Sequence, residues 1–117
     1  MAGREVRWSE GAKRDLDDIV DHIANDSTID ALPVFDRLHE RAHKLACLPE
    51  RGRRVPEFAA GPKIGGQQWR EVVLRPWRMI YVLQEGIVLV IAIVDCRRDF
   101  VAWLARYLSD EAPPSSD

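Results

Sequence analysis

The sequence predicts an α+β domain in which a β-α-α hairpin unit is followed by three antiparallel strands and a last helix, in the order β-α-α-β-β-β-α. Three observations lead to this fold class. The first half of the chain carries apolar residues at helical spacing, residues 69–94 change to strand-like patterns, and the connections between these strands are short enough for hairpins. At 117 residues the chain fits one domain, which we expect over residues 1–110, with a disordered tail over 111–117.

The first strand and the helical hairpin are predicted within the first 49 residues. Residues 5–8 suit a short edge strand, and Ser9 suits an N-cap. Five apolar residues then recur at offsets of four, seven, eight and eleven, which is one face of a helix: Ala12, Leu16, Ile19, Val20 and Ile23. A second helical pattern begins near Asp30, with Pro33 placed in its first turn, and ends before Pro49. A short polar turn joins the two, so we expect an antiparallel helical hairpin.

The strands of the sheet are predicted after a loop over residues 49–68, which has three prolines and four glycines. Arg75-Pro76 connects a strand over 69–74 to one over 77–84, and Glu85-Gly86 is typical of a hairpin turn. Residues 87–94 are apolar throughout, as in a strand covered on both faces. Asp99 is expected to cap a last helix, and we expect the helices to pack on one face of the sheet.

Composition excludes several classes of protein. Apolar residues make up 46% of the chain and charged residues 31%, as in globular proteins. The longest apolar run has eight residues, against the ~20 that a membrane-spanning helix needs, and the amino end lacks the apolar stretch of a signal peptide. We therefore expect a cytoplasmic protein with no membrane partner. Cys47 and Cys96 have no metal-ligand spacing, so we predict buried free thiols, no metal site and no cofactor.

Charge is segregated along the chain, although the net charge is only −2. Residues 1–50 hold seven Lys or Arg and eleven Asp or Glu, residues 51–98 hold nine and four, and residues 99–117 hold one and four. A basic middle between acidic ends predicts a positive surface that could meet a phosphate backbone or an acidic protein. A solvated face of mixed charge is the alternative.

The candidate binding residues come from this basic middle. They are Arg70, Arg75, Arg78, Arg97 and Arg98, with Lys63 from the loop. Strand alternation places Arg78 opposite Trp77 and Tyr81, and neighbouring strands could bring the other arginines to the same surface. Such a guanidinium cluster suits phosphate or carboxylate. The alternative is that each arginine forms a surface ion pair with Glu57, Glu71, Asp95 or Asp99.

Catalytic groups are scarcer than cationic ones. Cleavage of RNA through its 2′-hydroxyl needs a general base and a general acid beside the charge-stabilising arginines. The three histidines, His22, His39 and His43, belong to the two predicted amino-terminal helices and not to the basic segment. Tyr81, Lys63 and Glu57 are the nearest substitutes, and we expect Tyr81 to be a core aromatic with its hydroxyl at the surface.

Four phrases in order resemble the RelE/ParE toxin superfamily across residues 5–108. They are WSEGAKRDLDDI, LPERGRRVPEF, WREVVLRPWRMIYVL and VDCRRDF. The resemblance implies the toxin of a type II toxin–antitoxin pair, bound by a cognate antitoxin through which any DNA contact is made. RelE-like members cut messenger RNA in the ribosome without metal, and ParE-like members block DNA gyrase. Arg78 matches the family's strand arginine, and Arg97-Arg98 match the basic pair after the last strand.

The resemblance leaves the target open. A nuclease would use Arg78, Arg98 and Tyr81, but Asp95 stands where many relatives have histidine, and an aspartate there repels phosphate unless Arg97 or Arg98 neutralises it. We therefore favour a toxin that binds gyrase. A ribosome-dependent endoribonuclease and a non-toxic partner-binding module are the alternatives.

Overall fold

A computed structural model describes residues 4–56 and 69–111, and it confirms the predicted fold class. The strands are β1 (Glu5–Trp8), β2 (Arg53–Arg54), β3 (Trp69–Leu74), β4 (Trp77–Gln84) and β5 (Ile87–Asp95). The helices are α1 (Glu10–Asp26), α2 (Thr28–Lys44) and α3 (Phe100–Arg106), and α3 runs on into a π-helical turn, Tyr107–Glu111. The described strands form one sheet in the order β1-β5-β4-β3-β2.

The helical hairpin forms as predicted, with one shift in its second helix. The Ser9 hydroxyl accepts a hydrogen bond from the Ala12 amide at 3.0 Å, which caps α1. The Ser27 hydroxyl accepts from the Asp30 amide at 3.2 Å, so that α2 begins at Thr28 and not near Asp30. Pro33 consequently lies beyond the first turn, inside the helix, and the prediction of its place was wrong because Ser27 is the cap.

The three-strand meander is confirmed. The backbone of its second turn explains why the pair Glu85-Gly86 predicted a hairpin. Glu85 and Gly86 have φ values of 37° and 84°, the left-handed pair that a two-residue hairpin turn needs to match the twist of its strands. The outer strands add two features. β1 pairs in parallel with β5, and β2 is a two-residue strand inside the segment predicted to be a loop.

Both faces of the sheet are covered, each by a different helical layer. α1 and α2 pack against Met79, Tyr81 and Val88, which we call the hairpin-side core. The side chains of α3 pack against Ile80 and Val94 on the other face, which we call the α3-side core. The expectation that all helices share one face was wrong for α3. β5 is apolar on both faces, so each face has to be shielded from water.

Two smaller predictions have mixed outcomes. The two cysteines are free, and both belong to the described residues, but Cys47 is exposed and Cys96 is only partly buried. The prediction of burial was wrong because each lies in the turn that follows a helix or strand. No helix in the described ranges is long and apolar enough to cross a membrane.

The predicted tail falls almost wholly outside the described residues.

Candidate functional site

The arginines of the meander divide between the two faces of the sheet. Arg78 faces α3, and its guanidinium carbon lies 4.3 Å from the centre of the Phe100 ring. Arg70 is the cross-strand partner of Tyr81 and therefore lies on the hairpin side, where its Nη1 donates to the Gly52 carbonyl oxygen at 2.8 Å. The prediction that these guanidinium groups converge on one surface was wrong for Arg70, because the register of β3 against β4 assigns it to the other face.

Arg78 forms an ion pair with Glu71, as the ion-pair alternative allowed, but the pair is buried and belongs to a cluster with Arg53 and not to the surface. Glu71, with only 1% of its surface exposed, accepts from Arg78 Nε at 2.6 Å through Oε1. Its other oxygen, Oε2, lies 2.7 Å from both Nε and Nη2 of Arg53. Arg78 is itself 8% exposed. The described partners of the Arg78 guanidinium group thus include a carboxylate and an aromatic ring, both inside the protein.

The Tyr81 hydroxyl is buried, contrary to the expectation that it reaches the surface. It donates to the Pro49 carbonyl oxygen at 2.8 Å and accepts from the Gly52 amide at 2.9 Å. Burial raises the pKa of Tyr81, and the hydrogen bond from Gly52 only partly offsets this. The expectation failed because the segment 49–52 closes over the ring, where the backbone supplies the partners that a buried hydroxyl requires.

Arg97 is held by Asp95 in a bidentate ion pair. Its Nε and Nη2 lie 3.0 and 2.8 Å from the two carboxylate oxygens, and its backbone amide donates to the same carboxylate at 2.8 Å. The side-chain and backbone hydrogen bonds from Arg97 lower the pKa of Asp95 to about 2. The ion-pair alternative is therefore what the structure shows for Arg97, and Asp95 is neutralised by this arginine.

Arg98 is exposed and lines a cavity of about 420 Å³ between α1 and the end of β5. His22 lies on the wall of the same cavity, together with Asp18 and Arg97. His22 lies on the first helix, as predicted, but the fold brings it beside the arginines that follow β5, which the sequence did not indicate. α1 packs across β5, and a contact between elements so far apart in sequence leaves no local signal.

A second opening is lined by four arginines, and we call it the arginine groove. It measures about 400 Å³ and is lined by Arg41, Arg51, Arg53 and Arg75, with Glu71, Gly52, Val72 and Val73. Only Arg75 was among the predicted binding residues. Arg41 was missed because it comes from the last turn of α2, which meets the arginine-rich segment after it only in the folded chain. Lys63 lies outside the described residues.

Comparison with known proteins identifies the family. The family described as the ParE toxin of the type II toxin–antitoxin system parDE matches residues 6–100. The chain belongs to the ParE toxin family. Among solved structures it is similar to the chromosomal ParDE toxin–antitoxin system from P. aeruginosa, with a TM-score of 0.63 and 20% identity over 79% of this chain and 95% of that one. No curated protein sequence matches.

The ParE match covers the residues that line both openings. Every residue that lines the arginine groove lies within residues 6–100. The match ends at Phe100, so all of α3 after its first residue lies beyond it. The matched range therefore contains the helical hairpin, the strands β2 to β5 and the linings of both openings.

Proposed function

We propose that this ParE-family toxin stops growth by binding DNA gyrase and not by cutting RNA. The observation that carries the proposal is the burial of Tyr81 and Arg78, which a nuclease of this fold would use on this sheet. Their polar atoms are already bonded to Pro49, Gly52 and Glu71 inside the protein. A protein-binding toxin needs only an exposed complementary surface, which the outer arginines supply.

The chemistry of the buried groups supports the same conclusion. A general base has to lie within hydrogen-bond reach of the proton that it removes, and its pKa has to lie near the working pH. The fully buried Tyr81 hydroxyl has a raised pKa, so it stays protonated at neutral pH. Arg78 would have to leave both Glu71 and the Phe100 ring before it could stabilise a phosphate.

The toxin acts together with a cognate antitoxin, as membership of the parDE family implies. In our proposal the free toxin acts in the cytoplasm, the antitoxin covers its gyrase-binding surface, and any contact with DNA is made by the antitoxin. The net charge of −2 fits this assignment, because a protein that binds DNA directly generally presents a strongly basic surface.

Induction of the toxin in cells tests the proposal. Blocked gyrase leaves broken or tangled DNA, so a DNA-damage reporter should respond within minutes while messenger RNA stays intact. Co-expression of the antitoxin should suppress the response. Cut transcripts without a DNA-damage response would contradict the proposal, and normal growth would indicate a non-toxic partner-binding module.

A second candidate function is a ribosome-dependent endoribonuclease, and one observation favours it. His22 and Arg98 line the same cavity, which brings an imidazole, the side chain that most often serves as a general acid or base, beside a cation that can stabilise a phosphate. The test is His22→Ala in a translation reaction with reporter transcripts. A nuclease would lose on the order of 100-fold or more in cleavage, the scale of a lost general acid or base.

A further inference from the structure

We propose that His39 and His43 of α2 together bind one divalent transition-metal ion of the kind that prefers imidazole ligands: Ni²⁺, Zn²⁺ or Cu²⁺. The site goes beyond the proposed function and does not depend on whether the target is gyrase or RNA. It departs from the expectation of no metal site, which rested on the spacing of the cysteines. Four features carry the proposal: the spacing of the two rings, their nitrogen atoms, the contacts of His39, and the surroundings of the pair.

The two histidines lie one helical turn apart on the same face of α2. Side chains four residues apart in a helix have β-carbons about 5–6 Å from each other. The ring centres of His39 and His43 are 5.3 Å apart, and the ring planes are inclined by 45°. Two imidazoles that bind one ion through nitrogen at about 2.0–2.1 Å have ring centres roughly 4.5–5.5 Å apart. The pair therefore already has the separation that one shared ion requires.

The nitrogen atoms of both rings are available to a ligand. Within the described ranges, neither His39 nor His43 forms a hydrogen bond or an ion pair. His43 is exposed, and His39 is half-buried. A neutral imidazole binds a metal through the nitrogen lone pair that would otherwise accept a hydrogen bond. Each ring can thus offer a lone pair to an ion without breaking a described hydrogen bond.

Aromatic neighbours from two elements hold the His39 ring. It stacks on Trp8 of β1, with ring centres 5.5 Å apart, and on Phe35 in the preceding turn of α2, with ring centres 5.2 Å apart. The interplanar angles are 15° and 21°. These contacts restrict the ring before an ion arrives, so less side-chain entropy is lost when the ion binds. His43 is then the ligand that still has to be ordered.

The surroundings of the pair suit a hydrated cation. His39 lines an opening of about 570 Å³ between β1, α1 and α2, which leaves room for water ligands. No three described His, Cys, Asp or Glu side chains converge on one metal position, so water would complete the coordination. His43 lies in the last turn of α2, where the helix dipole favours positive charge and offsets repulsion from Arg41 and Lys44.

The ligand types determine which ions are expected. Imidazole suits Zn²⁺, Ni²⁺ and Cu²⁺, whereas Mg²⁺ and Ca²⁺ prefer carboxylate, carbonyl and water oxygens. Two imidazoles without a converging carboxylate should therefore bind Ni²⁺ much more tightly than Mg²⁺. Ni²⁺ is also paramagnetic, which makes it a suitable probe of position.

Calorimetric titration of the purified toxin with NiCl₂ tests the pair. The test variant is His43→Gln, and the matched control is His22→Gln, which makes the same change on α1. One ion should bind wild type and the control equally. His43→Gln should bind it about tenfold or more weakly, because the remaining imidazole loses the gain from a second ligand on the same helix. Equal binding by wild type and His43→Gln, or an equal loss in the control, would overturn the proposal.

Paramagnetic broadening in NMR spectra gives the position of the ion. The indole signal of Trp8 should broaden before those of Trp69 and Trp103, which lie on the α3 side of the sheet. Equal broadening of these indole signals would place the ion elsewhere and reject the site.

Two further measurements examine the ligands and the fold. An excess of Mg²⁺ should leave Ni²⁺ bound, and displacement of Ni²⁺ would mean that carboxylates carry the binding, which contradicts the proposal. Because the two rings come together only in the folded helix, Ni²⁺ should raise the Tm of wild type and of His22→Gln but not that of His43→Gln. An equal rise in all three proteins would contradict a site made by this pair.

Discussion

The hydroxyl of Tyr81 ties the segment after α2 to the centre of the sheet. In a Tyr81→Phe variant the Gly52 amide and the Pro49 carbonyl would each lose a buried partner. We expect the free energy of unfolding to fall by about 1–3 kcal/mol, the cost of leaving such groups unsatisfied. Urea denaturation measures this. An unchanged midpoint would mean that water reaches these groups and that the hydroxyl is not sealed in the core.

The close contact between Gly52 and the Tyr81 hydroxyl also requires that residue 52 have no side chain. A β-carbon at this position would lie 2.5 Å from the Tyr81 hydroxyl oxygen and 2.6 Å from the Glu71 carbonyl oxygen, both held by the sheet. Gly52→Ala should therefore lower the free energy of unfolding by about 1–3 kcal/mol through overpacking.

Gly86→Ala provides the comparison for Gly52. No atom lies within 4 Å of a β-carbon at Gly86, so its cost comes only from the positive φ of 84° and should be about 1 kcal/mol. Urea denaturation of the two variants decides between them. A larger effect at Gly86 than at Gly52 would contradict the steric argument.

Asp95 gives a prediction about pH. Its folded-state pKa of about 2 lies below the ordinary value, so its contribution to stability is present above about pH 4 and is lost as the pH falls toward 2. Arg97→Ala removes the first cause of the shift, and the pKa of Asp95 should return toward about 3.9. NMR titration of the carboxyl carbon measures this. A pKa that stays near 2 in the variant would show that the side chain of Arg97 is not the main cause.

At the scale of elements, the Glu71 cluster joins β2, β3, β4 and α3. Glu71→Ala would leave the guanidinium of Arg78 buried without its carboxylate, and we expect a loss of about 3–5 kcal/mol in the free energy of unfolding. Asp95→Ala is the matched control, because it removes a carboxylate from an exposed ion pair and should lower the free energy of unfolding far less than Glu71→Ala does. Thermal or urea unfolding of both variants checks this. Similar losses would contradict a structural role for the buried cluster.

Local sequence patterns predicted which segments form helices and which form strands. The side of the sheet on which each side chain lies depends instead on the strand register and on how the helices pack. The alternation in β4 correctly placed Met79 and Tyr81 on one face and Ile80 on the other. The two-residue turn Arg75-Pro76 also implied that Arg70 lies opposite Tyr81, so the error about Arg70 could have been avoided from the sequence. The bulge between Ile80 and Tyr81 had no comparable signal.

Neither the arginine groove nor the cavity with His22 could be predicted from the sequence, for another reason. The arginine groove joins α2, the following segment and β3, and the cavity with His22 joins α1 to the residues after β5. Each depends on packing between elements that are separated in sequence. Local patterns predict which elements form, but tertiary packing decides which of their side chains meet.

At the scale of the whole molecule, the side chains that a nuclease of this fold would need are buried and bonded within the described residues. The hairpin-side core encloses Tyr81, and the α3-side core encloses Arg78. The charges that remain outside are suited to binding other proteins. The burial of these two residues supports the proposal that this ParE-family toxin acts by binding a protein target.

Supercoiling of relaxed plasmid by purified gyrase, titrated with the purified toxin, tests that account most directly. We expect supercoiling to fall as the toxin approaches the concentration of gyrase, and to recover when the cognate antitoxin is added. Full supercoiling at saturating toxin, from a preparation that still arrests growth in cells, would contradict it.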